Sequence, residues 1–209
     1  MFIELAEHIR CPADHAAAHC VVAPDVIEGR RIVAGTVGCP VCRREYHIAG
    51  GRVNCGTQDR QRGGGANAGG DARWTADRDG VPALLGLDSP GGYVVLYGGA
   101  ALLASALARS MEGIHFVGVN APSDLEESES LSLIDCRDTV PLASAFARGA
   151  CVGSEPLSDR RLAQVGGLVL AGQRLVVPSE GVSVAGYEEL ATAPGMWVGR
   201  RVSPGTFAR

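Results

Sequence analysis

Two cysteines with two residues between them, Cys39 and Cys42, carry the clearest chemistry in this 209-residue sequence. Pro40 lies between them, so we expect a tight turn that directs both sulfurs to one point and leaves backbone N–H groups free to bind them. Four such soft ligands surround zinc tetrahedrally, at metal–ligand distances of about 2.0–2.3 Å. The sequence therefore predicts a zinc site with further ligands upstream.

The other half of this site is expected at Cys11, which is also followed by a proline. Asp14 occupies the position where a second cysteine would complete the motif, His15 follows it, and Cys20 lies slightly further on. We prefer His15 as the fourth ligand, then Cys20, then Asp14, and these alternatives stay open. The predicted metal ligands are Cys11, His15, Cys39 and Cys42.

Composition narrows the class of protein. The chain is 46% hydrophobic, which is enough for a real core, and its formal net charge of −4 argues against a general basic field that binds nucleic acid. The absence of an apolar run of 18 residues predicts no membrane span. Seven cysteines, four of them between residues 11 and 42, suit a reducing compartment, so a cytoplasmic location is expected.

Three regions follow one another along the chain. Residues 1–56 are predicted to form a small zinc ribbon, with a short helix in residues 2–9, two or three strands in residues 21–37, and two strands around a glycine turn in residues 46–53. Residues 57–80 form a glycine-rich linker in which Trp74 is almost the only apolar residue. Residues 81–209 are expected to form a compact Rossmann-like domain with a parallel sheet. The predicted fold class is therefore α/β.

The Rossmann-like region, residues 81–209, begins with a βαβ pattern, whose crossover makes its two strands parallel. Predicted strands cover residues 93–97, 114–120, 131–134, 147–152, 174–178 and 196–199. Predicted helices cover residues 100–110, 159–165 and 187–192.

Residues 1–56 resemble the Trm112 family of zinc ribbons. In that family a short helix leads to Cys-Pro, and the segment closes with Cys-Pro-x-Cys-Gly-x-x-Tyr-Pro-Ile and a glycine turn. This chain has Arg43 in place of the usual glycine, His47 in place of the proline, and no second cysteine in the first motif. Members of the family hold and activate methyltransferases, so the resemblance implies zinc binding and a protein partner.

The second half resembles class I S-adenosylmethionine-dependent methyltransferases. The resemblance rests on four segments in the family's order, residues 96–100, 117–120, 138–142 and 168–177. It implies cofactor-binding positions at Gly98, Gly99 and Asn120.

Three departures from that family weigh against the cofactor. Ala101 replaces a later glycine of the loop, and the acid that usually opens the loop is absent, with Leu96 and Tyr97 in that region. Asn120 stands where a carboxylate usually accepts the ribose hydroxyls. One charged hydrogen bond contributes about 1.5–3 kcal/mol, so losing two such features can move a micromolar site to millimolar. S-adenosylmethionine is thus a doubtful cofactor, and no catalytic residue is assigned.

Three functions remain in competition. The first is a zinc-binding, methyltransferase-like pseudoenzyme that acts as a scaffold or regulatory partner of another protein. The second is an active methyltransferase. The third is a zinc ribbon that contacts nucleic acid through its local basic cluster, and that partner is the least expected. The basic cluster consists of Arg30, Arg31, Arg43, Arg44 and Arg52.

Overall fold

A computed structural model describes residues 1–56 and 80–203 of the chain. The strands are β1 (Val21–Glu28), β2 (Arg31–Gly38), β3 (Glu45–Ala49), β4 (Arg52–Cys55), β5 (Tyr93–Tyr97), β6 (His115–Val119), β7 (Leu131–Cys136), β8 (Ala147–Val152), β9 (Val169–Val177), β10 (Tyr187–Ala193) and β11 (Met196–Arg201). The α-helices are α1 (Val81–Leu85), α2 (Ala104–Ser110) and α3 (Asp159–Leu168). Two 3₁₀ helices span Ile3–His8 and Gly98–Leu103.

All the strands of the described residues lie in one sheet, in the order β1-β2-β3-β4-β7-β6-β5-β8-β9-β11-β10. Strands β4, β7, β6, β5, β8 and β9 are parallel to their neighbours in that run. Antiparallel pairs form the two ends of the sheet, with β1 to β4 at one end and β10 and β11 at the other. The order 7-6-5-8-9 is that of a doubly wound Rossmann-like sheet, in which ligands bind outside the carboxyl ends of the strands where the order reverses. The predicted α/β fold class is confirmed.

The central strands are buried on both faces, as parallel strands usually are. Strand β6 is buried at every position, and four of the five residues of β5 are buried. Helices α1 and α2 contribute to the core on one face. On the other face, Leu5 and Ile9 from the N-terminal segment are fully buried in the same apolar cluster as Val95 and Val117. The N-terminal segment therefore packs on the parallel sheet.

Strand β4 joins the N-terminal strands to the parallel sheet. It pairs in parallel with β7, and the register places Val53 opposite Ile134. Arg52 strengthens this junction because its guanidinium donates hydrogen bonds to both carboxylate oxygens of Asp135, at 2.9 and 3.1 Å. The same side chain donates to the carbonyl oxygens of Pro122 and Leu125. The strands of residues 1–56 and the parallel strands are thus joined in one hydrogen-bonded sheet.

The helix predicted over residues 187–192 is wrong. These residues form strand β10, which pairs antiparallel with β11 over the register from Tyr187↔Arg201 to Ala193↔Met196. The Trp197 indole N–H donates to the Glu189 carboxylate across this hairpin, and the Tyr187 hydroxyl donates to the carbonyl oxygen of Gly166. Pairing with a partner strand has overridden a local preference for helix.

Two further predictions concern the glycine-rich linker and membrane-spanning helices. Most of the predicted linker, with Trp74, lies outside the described residues, and the boundaries at residues 56 and 80 stay predictions. Among residues 1–56 and 80–203, no helix has the length and apolar character that crossing a bilayer requires.

Candidate metal centre and cofactor crevice

The side chains of Cys11, His15, Cys39 and Cys42 converge in the structure, and their ligand atoms all lie within 4.8 Å of one another. Cys11 Sγ lies 3.6 Å from Cys42 Sγ, and Cys39 Sγ lies 3.4 Å from His15 Nε2. In a tetrahedral zinc site with bonds of about 2.0–2.3 Å, neighbouring ligand atoms are separated by about 3.3–3.8 Å. The donor set and its spacing therefore fit a zinc ion.

Backbone hydrogen bonds hold the two ligand-bearing segments in place. In the turn between β2 and β3, the N–H of Cys39 donates to the carbonyl of Arg44, and the N–H of Arg43 donates back to the carbonyl of Cys39, both at 2.9 Å. In the other segment, the N–H of Cys11 donates to the carbonyl of Ala18 at 3.0 Å. Backbone hydrogen bonds in both segments thus fix the positions of the residues that carry the ligand atoms.

The Cys39 sulfur lies in a setting that favours the thiolate. Burial alone would raise the pKa of Cys39, but the backbone N–H groups of Cys42 and Val41 donate to its sulfur and lower that pKa to about 6. Because thiolate sulfur is the form that binds metal, this setting suits a ligand. The Tyr46 hydroxyl lies 3.5 Å from Cys11 Sγ, a contact that sequence reasoning did not assign.

The geometry favours His15 among the three alternatives for the fourth ligand. Its Nδ1 lies 2.6 Å from the carbonyl oxygen of Ala16, which fixes Nδ1 as the protonated nitrogen and leaves the Nε2 lone pair for a metal. Cys20 and Asp14 are not part of the cluster. Cys20 packs in the apolar core, where burial raises the pKa of its thiol to about 12, and Asp14 is exposed.

Arg43 has a backbone conformation that favours glycine, with φ of +58°. A left-handed conformation costs a residue with a Cβ about 1–2 kcal/mol, so we expect Arg43→Gly to stabilise the zinc-loaded protein by roughly 1 kcal/mol. Chemical denaturation of the two proteins measures this difference. Gly50→Ala is the matched reverse change, because Gly50 has φ of +55° and an added Cβ would meet nothing within 4 Å. It should destabilise the protein by a similar amount, and equal stability of all three proteins would contradict the explanation.

The predicted cofactor residues lie at the carboxyl ends of β5 and β6. Gly98 and Gly99 begin the 3₁₀ helix directly after β5, and Gly98 has φ of +61°. Asn120 directly follows β6 and has φ of +52°, a conformation that asparagine tolerates better than most residues. These are the positions at which a Rossmann-like sheet binds ligands. We call this region, with Tyr97 and Glu155, the crevice.

The Asn120 side chain uses both of its polar atoms inside the protein. Its Nδ2 donates to the Tyr97 hydroxyl at 3.1 Å, and its Oδ1 accepts from the backbone N–H of Cys136 at 2.8 Å. Asn120 therefore connects the ends of β5, β6 and β7. The amide keeps one N–H and one oxygen lone pair, but it carries no charge with which to bind the hydroxyls of a ribose.

Glu155, in the loop after β8, was not predicted from the sequence. Its carboxylate accepts a hydrogen bond from the backbone N–H of Gly99 at 3.1 Å and occupies the space beside Gly98 and Gly153. Nearby, the Arg161 guanidinium carbon lies 5.9 Å from the centre of the Tyr97 ring. The backbone N–H of Gly99 and both polar atoms of the Asn120 side chain thus have hydrogen-bond partners inside the protein.

A cavity of about 490 Å³ lies beside the crevice, at the carboxyl ends of β8 and β9. Glu155 forms part of its wall, together with Asp159, Glu180 and apolar residues such as Leu162 and Val182. The cavity and the glycine turn are therefore separated by the Glu155 side chain.

The predicted basic cluster is largely committed to ion pairs. Arg30 pairs with Glu4, Arg31 Nη2 lies 2.7 Å from Glu127 Oε1, and Arg52 pairs with Asp135 at 2.9 Å. The Glu127 carboxylate is only 3% exposed. Arg30, Arg43 and Arg44 are exposed, and three of the five arginines have a carboxylate partner, so the positive charge expected for nucleic-acid binding is partly neutralised.

No protein-family model and no curated protein matches the chain. Solved structures do match it, and they include methyltransferases. One is the complex of the Haloferax volcanii Trm112 methyltransferase activator with a candidate methyltransferase, with 16% identity, a TM-score of 0.38, and coverage of 51% of this chain and 56% of that chain. A second is a geranyl diphosphate C-methyltransferase from Streptomyces coelicolor, with 15% identity, a TM-score of 0.42, and coverage of 49% of this chain and 42% of that chain.

A third similar structure is that of a candidate S-adenosyl-L-methionine-dependent methyltransferase from Methanococcus maripaludis. It is 10% identical, with a TM-score of 0.47, and the match covers 66% of this chain and 89% of that chain. The match with the Haloferax and Streptomyces structures, by contrast, spans only about half the length of those chains.

Proposed function

We propose that this protein is a zinc-binding, methyltransferase-like scaffold that acts by binding another protein and does not transfer methyl groups. Cys11, His15, Cys39 and Cys42 would hold the zinc, which would supply a structural cross-link between the segment before β1 and the turn after β2. Since all four ligands come from the protein, the site leaves no position for a substrate, which is typical of structural zinc. A cytoplasmic location remains a prediction.

The observation that carries the proposal is the internal use of the crevice. The backbone N–H of Gly99 binds Glu155, and both polar atoms of Asn120 bind Tyr97 and Cys136. A cofactor would have to break these bonds without gaining the carboxylate that normally binds its ribose. Breaking the bond to the charged Glu155 costs about 1.5–3 kcal/mol and breaking each neutral bond of Asn120 costs about 0.5–1.5 kcal/mol, so ordinary micromolar affinity is not expected.

An active methyltransferase is the second candidate. The 490 Å³ cavity favours it, since this space lies at the carboxyl edge of the sheet, next to the retained glycine turn. A methyl acceptor of suitable size could occupy such a cavity.

Calorimetric titration of the zinc-loaded protein with S-adenosylmethionine, and separately with S-adenosylhomocysteine, distinguishes the two candidates. A scaffold should give no binding heat up to millimolar ligand. A dissociation constant in the micromolar range for either ligand would overturn the proposal and support the enzyme.

A further inference from the structure

Among the described residues, Glu155 provides the side-chain atoms nearest to the space beside Gly98 of the glycine turn. We propose that Glu155 is an autoinhibitory side chain, which closes the turn reversibly against S-adenosylmethionine and related ligands. The inference rests on the proposed function, because it explains why the crevice of the folded protein is closed. It adds that the binding surface beneath Glu155 is retained.

The contact between Glu155 and the turn is close on three sides. A Cβ on Gly98 would lie 1.1 Å from Glu155 Oε1, and a Cβ on Gly153 would lie 2.0 Å from Oε2. The backbone N–H of Gly99 donates to Oε1 at 3.1 Å. The three glycines thus form a cradle of carboxylate size, and the carboxylate in it belongs to the protein itself.

The backbone of this cradle is fixed independently of Glu155. Gly153 N–H donates to the carbonyl of Tyr97 at 2.9 Å, which extends the pairing of β5 with β8. Tyr97 is in turn held by Asn120. Removing the Glu155 carboxylate should therefore leave an open turn with a free N–H at Gly99, and the turn should keep its shape.

The cavity beside the crevice offers the Glu155 carboxylate a second position. Its side chain forms part of the wall of the 490 Å³ cavity, and residue 155 is only half-buried, so rotation of the side chain can move the carboxylate from the cradle into the cavity. The crevice then has two states, closed and open, and a ligand binds only the open one. Its apparent affinity is reduced by the fraction of molecules that are open.

Calorimetric titration of zinc-loaded Glu155→Ala and Glu155→Ser with S-adenosylmethionine and S-adenosylhomocysteine tests this inference. We expect both variants to bind at least one ligand roughly 10- to 100-fold more tightly than the wild type, which corresponds to the loss of one charged hydrogen bond. Glu155→Gln is the matched control. Its amide oxygen can still accept from Gly99 and fill the cradle, so its affinity should stay much closer to that of the wild type.

The result is judged on the ratio between variant and wild type, whereas the proposed function is judged on the wild type alone. Tighter binding by Glu155→Ala and Glu155→Ser supports the inference, whatever the affinity of the wild type. Equal or weaker binding by both variants, with unchanged thermal unfolding, overturns it. A wild type that binds at micromolar affinity, with a still tighter Glu155→Ala, would overturn the proposed scaffold and keep the inference.

Discussion

Cys39→Ser should lose its zinc and much of its stability. The wild type should contain about one zinc per chain, and the variant close to none, because a hydroxyl is a far weaker zinc ligand than a thiolate. Structural zinc sites contribute about 10–16 kcal/mol of apparent binding free energy in small peptides, and that energy is coupled to folding. We therefore expect the free energy of unfolding to fall by several kcal/mol. Metal analysis of the purified protein and chemical denaturation measure the two effects.

Two further variants identify the fourth ligand. His15→Ala should lose zinc in the same way, since His15 Nε2 lies 3.4 Å from Cys39 Sγ. Cys20→Ala is the matched control, because Cys20 is buried near the site and lies outside the ligand cluster. It should keep its zinc and lose only about 1 kcal/mol from reduced packing. Zinc loss in Cys20→Ala with retention in His15→Ala would contradict the assigned ligand set.

The stability of the protein should fall on acidification because of His115. This side chain is 7% exposed, and its Nε2 lies 2.9 Å from the Ser132 hydroxyl. Burial, with the nearby Met1 ammonium as a second cause, lowers the pKa of His115 from 6.5 to about 4. Above pH 6.5 both the folded and the unfolded chain are neutral at this position. Between pH 6.5 and 4 the unfolded chain takes up a proton that the folded chain does not, so stability is lost by up to about 3 kcal/mol.

His115→Gln isolates this contribution. Glutamine keeps an acceptor for the Ser132 hydroxyl, but it does not titrate between pH 4 and 7. The difference in unfolding free energy between wild type and variant, measured by urea denaturation, should favour the wild type most at pH 7 and shrink by about 3 kcal/mol towards pH 4. A constant difference over this range would show that His115 takes up its proton in both states.

The sequence predicts the metal ligands best where their convergence depends on the local spacing of residues. Cys39 and Cys42 lie in one short turn, so their convergence follows from the segment itself. The fourth ligand was harder, because Asp14, His15 and Cys20 are close in sequence, and only the path of the backbone separates them. The hydrogen bond from His15 to Ala16, which orients the ring, has no signature in residue type.

The crevice was predicted only in part for a related reason. Gly98, Gly99 and Asn120 follow buried strands and could be placed at the carboxyl edge of the sheet. Glu155 is 56 residues away from Gly99 and is one glutamate among many loop residues, so nothing local indicates that it reaches the glycine turn. The strand at Tyr187–Ala193 was missed in the same way, since its conformation depends on pairing with β11.

The pairing of β4 with β7 has a consequence for solubility. Without it, β7 would be the last strand of the parallel sheet, and its backbone N–H and C=O groups would face solvent. The sequence Leu-Ser-Leu-Ile-Asp-Cys of this strand is apolar and almost uncharged, which makes an open edge a template for aggregation. Strand β4 covers that edge, and the far end of the sheet is β1, where a bulge follows Pro24 and the exposed side chains include Asp25 and Glu28. The N-terminal strands thus cover the apolar edge at β7 and leave β1 as the edge strand, whose bulge and charged side chains oppose pairing with another chain.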